Sequence, residues 1–163
     1  MLFRAFLYLF FALAFSVVLI SLAFAGTKQL QNVIVTDPLS GYAIGGYDPV
    51  SYFTNSEPVQ GLPEYEYIWF GVPWIFSNEA NRDIFALSPE IYSPIFGGHG
   101  SMGLARGYLS DGNPNVYEVL AGRLFLFYSI SNRDAFMLAQ RSSYIKAQRN
   151  WEFFTANASN PPK

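Results

Sequence analysis

The chain contains no cysteine among its 163 residues and only one histidine, His99. A protein without cysteine forms no disulfide and offers no thiolate to a metal or a substrate, which excludes every mechanism that needs one. Charged residues are also scarce, at 13% of the chain, and the formal net charge is −2. This sparse, slightly acidic charge, combined with 18% aromatic residues, argues against disorder and against a nucleic-acid-binding surface.

The first 25 residues are predicted to be an export signal. Arg4 precedes an apolar run from Ala5 to Ala25, and the small residues before Gly26 match a cleavage site of the A-x-A type. The run is also close to the length of about 20 residues that spans a bilayer, so an uncleaved N-terminal anchor is the alternative. Either way we predict an exported protein, periplasmic or secreted, that touches a membrane only through residues 1–25 if they are retained.

The remaining sequence is predicted to form one domain. We interpret residues 26–40 as a lead-in arm, residues 41–154 as the domain and residues 155–163 as a disordered tail. We identify no internal repeat.

Two β-hairpins are expected within the domain. Tyr65–Trp69 and Trp74–Phe76 flank a turn over residues 70–73 that contains a glycine, and residues 115–119 and 123–129 are joined across Ala121-Gly122. The run 124–128 is apolar at alternate and intervening positions, which is typical of a strand buried on both faces.

Two main helices are expected. Ser77 or Asn78 is predicted to cap the first, which ends at Ser88-Pro89, and Ser131 or Asn132 is predicted to cap the second, which runs to Trp151. The pattern therefore predicts an α+β fold, a small single domain with an antiparallel sheet of two hairpins and helices packed on it.

Residues 96–107 concentrate five glycines around His99. Glycine permits positive φ and close backbone approach, so we expect a tight loop that is neither regular helix nor strand. Histidine binds metals and the thioether of Met102 suits soft ions, so copper or zinc is a candidate cofactor. The ordinary alternative is a glycine-rich loop with a hydrogen-bonded surface histidine.

Asp48 lies before a proline, so its backbone is predicted to be extended and its carboxylate to accept backbone N–H groups in a turn. Such an aspartate is more often a turn residue than a catalytic one.

The order of several motifs resembles the exported branch of the YHS-domain family. The resemblance covers nearly the whole chain after residue 25 and is carried by Gly45-Gly46-Tyr47-Asp48-Pro49-Val50-Ser51-Tyr52-Phe53, Trp69-x-Gly71-x-x-Trp74-x-Phe76-Ser77, Asn81-Arg82-x-x-Phe85, Pro89, Tyr92-x-Pro94 and Ala147-x-x-Asn150-Trp151. It implies a small exported α+β protein.

The resemblance also implies thiol chemistry that this chain lacks. Metal-handling relatives have paired cysteines at the positions of Ser77 and Asn81, and exported relatives commonly have a cysteine at the position of Gly100. The family's metal site therefore does not transfer, and His99 is the only obvious substitute.

Three functional interpretations remain open. The first is a metal site formed by His99 with Met102 and an oxygen from Asp48 or a tyrosine, although about four ligands are usual in a tight site. The second is a small-ligand pocket at the glycine loop, lined by aromatic residues that could equally form the core, namely Tyr47, Tyr52, Trp69 and Trp74. The third is a cysteine-less scaffold for protein interaction or the cell envelope. An enzyme is not expected, because no nucleophile elbow, phosphate loop, dinucleotide fingerprint or zinc-protease helix occurs.

Overall fold

The fold contains two antiparallel β-hairpins, and each is followed directly by a nine-residue helix. The computed structural model describes residues 33–158. Its elements, in chain order, are α1 (Ser51–Thr54), β1 (Leu62–Trp69), β2 (Val72–Phe76), α2 (Glu79–Leu87), α3 (Pro89–Tyr92), α4 (Ser101–Ala105), β3 (Asn113–Leu120), β4 (Arg123–Phe127), α5 (Ile130–Leu138) and α6 (Gln140–Ala158), with 3₁₀ turns at Ile44–Gly46 and Ile95–Gly98.

The predicted α+β class with two antiparallel hairpins is confirmed, and the hairpins form two separate two-stranded sheets, β1-β2 and β3-β4. Each hairpin turns over two residues that both have positive φ. These are Phe70 (49°) and Gly71 (72°) in the first hairpin, and Ala121 (50°) and Gly122 (72°) in the second. A positive φ at both turn residues gives the turn a backbone twist that matches the twist of the strands it joins. The first turn is therefore shorter than the predicted span 70–73.

The two halves of the domain repeat each other, so our expectation of no internal repeat is wrong. A constant offset of 51 residues relates the first hairpin's pair Leu62↔Phe76 to Asn113↔Phe127, and every other cross-strand pair follows the same offset. The register shifts at the same place in both hairpins, after the first of these pairs. We call residues 44–87 the first unit and residues 95–138 the second unit.

The helices of the two units repeat in sequence and in capping. The motif Asn-Arg-Asp-x-Phe-x-Leu occurs at residues 81–87 and again at residues 132–138. The side chain of Asn78 accepts a hydrogen bond from the third residue of α2, and Ser129 does the same for α5. Ser129 is thus the cap in the second unit, and the prediction of Ser131 or Asn132 is wrong because the register of the repeat places the cap earlier.

The predicted helix from Ser131 to Trp151 is two helices. Ala139, with φ of −135° and ψ of 40°, leaves the helical region between α5 and α6. Helix α6 continues to Ala158, so the prediction of a disordered tail is wrong for residues 155–158. Residues 159–163 lie outside the described range.

Strand β4 lies between two hydrophobic cores. Leu124 and Leu126 pack into the core of the first unit, whereas Phe125 and Phe127 pack into the core of the second. All four are buried, which confirms the prediction of a strand buried on both faces, but Tyr128 is 63% exposed. Successive side chains of β4 point to opposite faces, so this one strand packs into the cores of both units and joins them.

The end of the lead-in packs on the glycine segment. Val35 N donates to Gly97 O at 2.8 Å, and a Cβ added at Gly97 would lie 1.9 Å from Val33 O. Only glycine fits such an approach. Within residues 33–158 no helix combines the length and apolar character needed to cross a bilayer. The predicted export signal, residues 1–25, lies outside the described range.

Candidate functional site

Asp48 is fully buried, at 0% exposure, and its carboxylate accepts four hydrogen bonds. Oδ1 accepts from Val50 N at 2.9 Å. Oδ2 accepts from Ser77 N at 2.9 Å, from Ser77 Oγ at 2.7 Å and from Asn81 Nδ2 at 2.7 Å. The predicted turn contact is confirmed, and the two further partners join the turn to the end of β2 and to α2.

Backbone contacts close the same turn. Asp48 N donates to Val59 O at 2.8 Å, and Ser51 Oγ donates to Asp48 O at 2.6 Å while accepting from Val59 N at 3.0 Å. These bonds satisfy the polar groups that burial removes from water. Ser77 and Asn81, which the family resemblance aligns with paired cysteines, thus converge on Asp48. Its oxygens are occupied by donors, so Asp48 is a structural anchor.

Gly100 is the counterpart of Asp48 in the second unit, where the 3₁₀ turn is one residue longer. Gly100 N donates to Ser110 O at 2.8 Å, as Asp48 N does to Val59 O. A Cβ at Gly100 would lie 2.8 Å from Ser110 Oγ and 3.2 Å from Tyr128 N. Position 100 is therefore too crowded for a side chain unless its neighbours move.

His99 follows the second 3₁₀ turn and pairs with Asp111 in an isolated antiparallel bridge. Its ring centroid lies 5.6 Å from that of Trp151 on α6. Nδ1 is buried and has no hydrogen-bond partner among residues 33–158. Burial lowers the pKa of His99 below its ordinary value, against the opposing effects of Asp111 and the Ser110 backbone. The side chain is half-buried, so the surface position of the ordinary alternative is not observed.

The glycine segment contains a short helix. Helix α4 begins at Ser101, so the prediction of a segment without regular structure is wrong for residues 101–105. Ser101 is buried, and its Oγ donates to Leu126 O at 3.1 Å, which commits the hydroxyl to the contact with β4.

The predicted metal donors are held by different parts of the fold. Met102 is partly buried against the second core, His99 contacts α6, and Asp48 is bonded to β2 and α2. Within the described part of the chain, no three histidine, aspartate or glutamate side chains are grouped as a metal ion would require. The geometry therefore lends a closed metal site no support.

The four predicted pocket aromatics divide into two pairs. Tyr47 Oη accepts from Asn115 Nδ2 at 3.0 Å, and Tyr52 Oη donates to Pro114 O at 2.9 Å, so both tyrosines contact β3. Trp69 and Trp74 instead line a cavity of about 240 Å³ whose wall includes Phe96 and Gly97 of the glycine segment. The tryptophan pair thus shares a cavity wall with the glycine segment, whereas the two tyrosines contact β3.

A larger cavity of about 460 Å³ lies in the second unit, and the sequence interpretation missed it. It is lined by Ile95, Leu120, Ala121, Arg123, Phe125, Phe136, Gln140, Arg141 and Tyr144.

The repeat relates this cavity to the smaller one. At the offset of 51 residues, the positions of Trp69, Phe70 and Trp74 are occupied by Leu120, Ala121 and Phe125. Smaller side chains at these positions leave the volume open in the second unit. Comparing the two hairpin sequences was the signal that could have located it.

Comparison of the chain with protein-family models, with curated proteins and with solved structures gives no match.

Replacing Asp48 with alanine should reduce the free energy of unfolding by at least about 2 kcal/mol, because it leaves buried donors without an acceptor. Asp37 is the matched control, since its carboxylate accepts from Leu39 N, Ser40 N and Ser40 Oγ in an exposed turn. Urea denaturation should give a much smaller loss for Asp37→Ala. Equal losses for the two variants would show that the burial of Asp48 adds nothing to the free energy of unfolding.

Gly100→Ala should cost about 1–3 kcal/mol, the usual range for an overpacked site. Its φ of −64° is open to any residue, so crowding rather than backbone strain is the cause. Ser110→Ala removes the oxygen that the new Cβ would meet. Denaturant midpoints should therefore show a smaller cost of Gly100→Ala in the Ser110→Ala background, and an unchanged cost would refute the steric explanation.

Stability should fall as the pH drops below about 6.5, the ordinary pKa of histidine. Burial lowers the native pKa of His99, so the unfolded chain binds more protons in this interval. The part of the folding stability that depends on this pKa shift is complete above about pH 6.5 and is lost as the pH falls through the native pKa of His99.

Urea midpoints against pH for wild type and His99→Gln measure this contribution by difference, which removes the effect of the carboxylates. Because His99 is the only histidine, its NMR titration is unambiguous. Identical pH profiles for the two proteins would contradict the assignment.

Proposed function

We propose that this chain is an exported, non-catalytic binding module of the YHS type that holds a small organic ligand between hairpin β3-β4 and helices α5 and α6. The observation that carries the proposal is the cavity of about 460 Å³. Ligand sites are typically concavities of about 300–1,000 Å³ with apolar walls and a few polar groups. Here the polar groups are Gln140 and the two arginines, Arg123 and Arg141.

The cavity borders the start of the glycine segment. Ile95 opens the second 3₁₀ turn and lines the cavity directly. The ring of Phe96 lies 6.3 Å from Tyr144 and 6.5 Å from Phe125, both of which also line it. The ligand position is therefore at the start of the glycine segment rather than at His99.

The repeat supports a functional difference between the units. The corresponding positions of the first unit are two tryptophans and a phenylalanine, and the cavity that they line together with residues of the second unit and α6 is about half as large. Three bulky side chains on one wall are therefore replaced by smaller ones in the second unit, while the surrounding architecture is repeated. The larger volume at the second unit's positions is consistent with a binding role for that unit.

The arrangement of reactive groups favours binding over catalysis. Ser101 is committed to the Leu126 carbonyl, and His99 Nδ1 has no orienting partner among the described residues. A nucleophile needs an adjacent base that a third group orients. Convergence of positions 77 and 81 on Asp48 is consistent with the YHS resemblance, in which these positions act together.

Native mass spectrometry of freshly isolated protein tests the proposal. We expect an added mass of a small organic molecule, which is lost on denaturation. The variant Leu120→Trp/Ala121→Phe introduces the side chains of the first unit and should close the cavity. Phenylalanine is accommodated at the turn, because Phe70 has φ of 49° where Ala121 has 50°.

Val119→Trp is the matched control, because this exposed neighbour of Leu120 does not line the cavity. It should retain the ligand. A clean apo mass in several wild-type preparations would contradict the proposal and favour the scaffold. Tight binding of copper or zinc that is abolished by His99→Ala would instead support a metal site at His99.

A further inference from the structure

We infer that the ligand of the larger cavity is an amphipathic anion, an apolar body that ends in a carboxylate. The inference rests on the proposed function and adds the chemical class of the ligand. It follows from how apolar and cationic groups are distributed along the cavity wall and from how that wall differs from its counterpart in the first unit.

The apolar body is assigned to the inner wall. Phe125 and Phe136 are buried, at 6% and 0% exposure, and Ile95 is buried beside them. Leu120 is partly buried, and Tyr144 is 41% exposed. A ligand carbon chain placed against these groups leaves water at little polar cost, because the wall offers no buried carboxylate or ammonium group.

The charged end is assigned to the two arginines. Arg123 begins β4 and Arg141 lies in the first turn of α6, and both line the cavity. Neither guanidinium forms an ion pair with another residue of the described range. Guanidinium groups bind carboxylates through paired N–H donors, so an anionic ligand group would find complementary partners here.

Three acidic side chains on the bordering elements have other partners. Glu118 of β3 and Asp134 of α5 both pair with Arg133, at 3.7 Å and 3.2 Å. Glu152 of α6 accepts from Gln148 at 3.0 Å. Glu90 shares the wall of the smaller cavity with Arg123 but forms no ion pair with it. The two cationic groups therefore remain open to a ligand.

The first unit provides an internal reference for this charge. When the offset of 51 residues is continued along the chain, Arg123 corresponds to Val72, and Arg141, just after the second unit, corresponds to Glu90, just after the first. Two cations thus stand where the first half of the domain has an apolar and an acidic residue. Both arginines line the larger cavity, whereas the smaller one is lined by Arg123 and Glu90, so two cations accompany the larger volume, which is the combination that an amphipathic anion needs.

Three ligands with one tail and different head groups test the inference: decanoate, decanol and decylamine. The protein is expressed from its full coding sequence, purified in the form that the cell produces and titrated calorimetrically below the concentrations at which these compounds aggregate. Decanoate should bind about fivefold to tenfold more tightly than decanol, as expected for two exposed charge pairs, and decylamine should bind least. Added salt should weaken decanoate alone.

The arginines are tested with Arg123→Gln/Arg141→Gln. This variant should reduce decanoate affinity to that of decanol and leave decanol affinity unchanged. Lys146→Gln/Arg149→Gln is the matched control, because it removes the same charge from exposed positions of α6 that do not line the cavity. It should retain the preference for decanoate. Protein–ligand NOEs from the tail to the rings of Phe136 and Tyr144 should place the ligand.

The outcomes separate this inference from the proposed function. Decanol or decylamine binding as tightly as decanoate would overturn the inference and leave a ligand-binding cavity. An equal loss in both double variants would also overturn it, because only net charge would then matter. No binding by any of the three compounds, together with a clean apo mass, would overturn both. A dimer that Leu120→Trp/Ala121→Phe dissociates would assign the cavity to a second copy of the chain and overturn the inference.

Discussion

The buried carboxyl group of Asp48 determines the geometry of the first unit, because a polar group withdrawn from water must be met by hydrogen-bond partners. Those partners come from the turn that follows Asp48, from the end of β2 and from α2. Three separate segments are therefore held in one arrangement, and Ser77 and Asn81 are fixed as part of it. Once this contact exists, α2 starts at a defined place and presents Phe85 to the core.

The second unit reaches the same architecture without a buried carboxyl group at the corresponding position. Gly100 replaces Asp48 and lets the backbone approach Ser110 and Tyr128 directly. Asn132, the counterpart of Asn81, accepts from Arg106 at 3.1 Å instead. Close packing and contacts to α6 thus replace the polar anchor, and the two halves of a repeated fold are stabilised by different interactions.

Local features were accessible from the sequence. The hairpins, the Asn78 cap and the Asp48 turn depend on residues only a few positions apart, where turn and capping chemistry is decisive. The repeat was missed because few identical residues mark it, chiefly the motif at 81–87 and 132–138. Burial of His99 depends on Trp151, and the larger cavity depends on Phe136 and Tyr144, which local patterns do not bring together. These features depend on packing between residues far apart in the sequence, so a short stretch of sequence does not predict them.

The repeat makes the site interpretable, because each unit serves as a reference for the other. An aromatic side chain that fills a space stabilises the fold through its contacts, so exchanging Trp69 and Phe70 for Leu120 and Ala121 gives up contacts in the second unit. A ligand that binds only the folded state can restore that stabilisation. The second unit would then depend on its ligand as the first depends on Asp48. On this argument the open cavity is a property of the architecture that a bound amphipathic anion would complete.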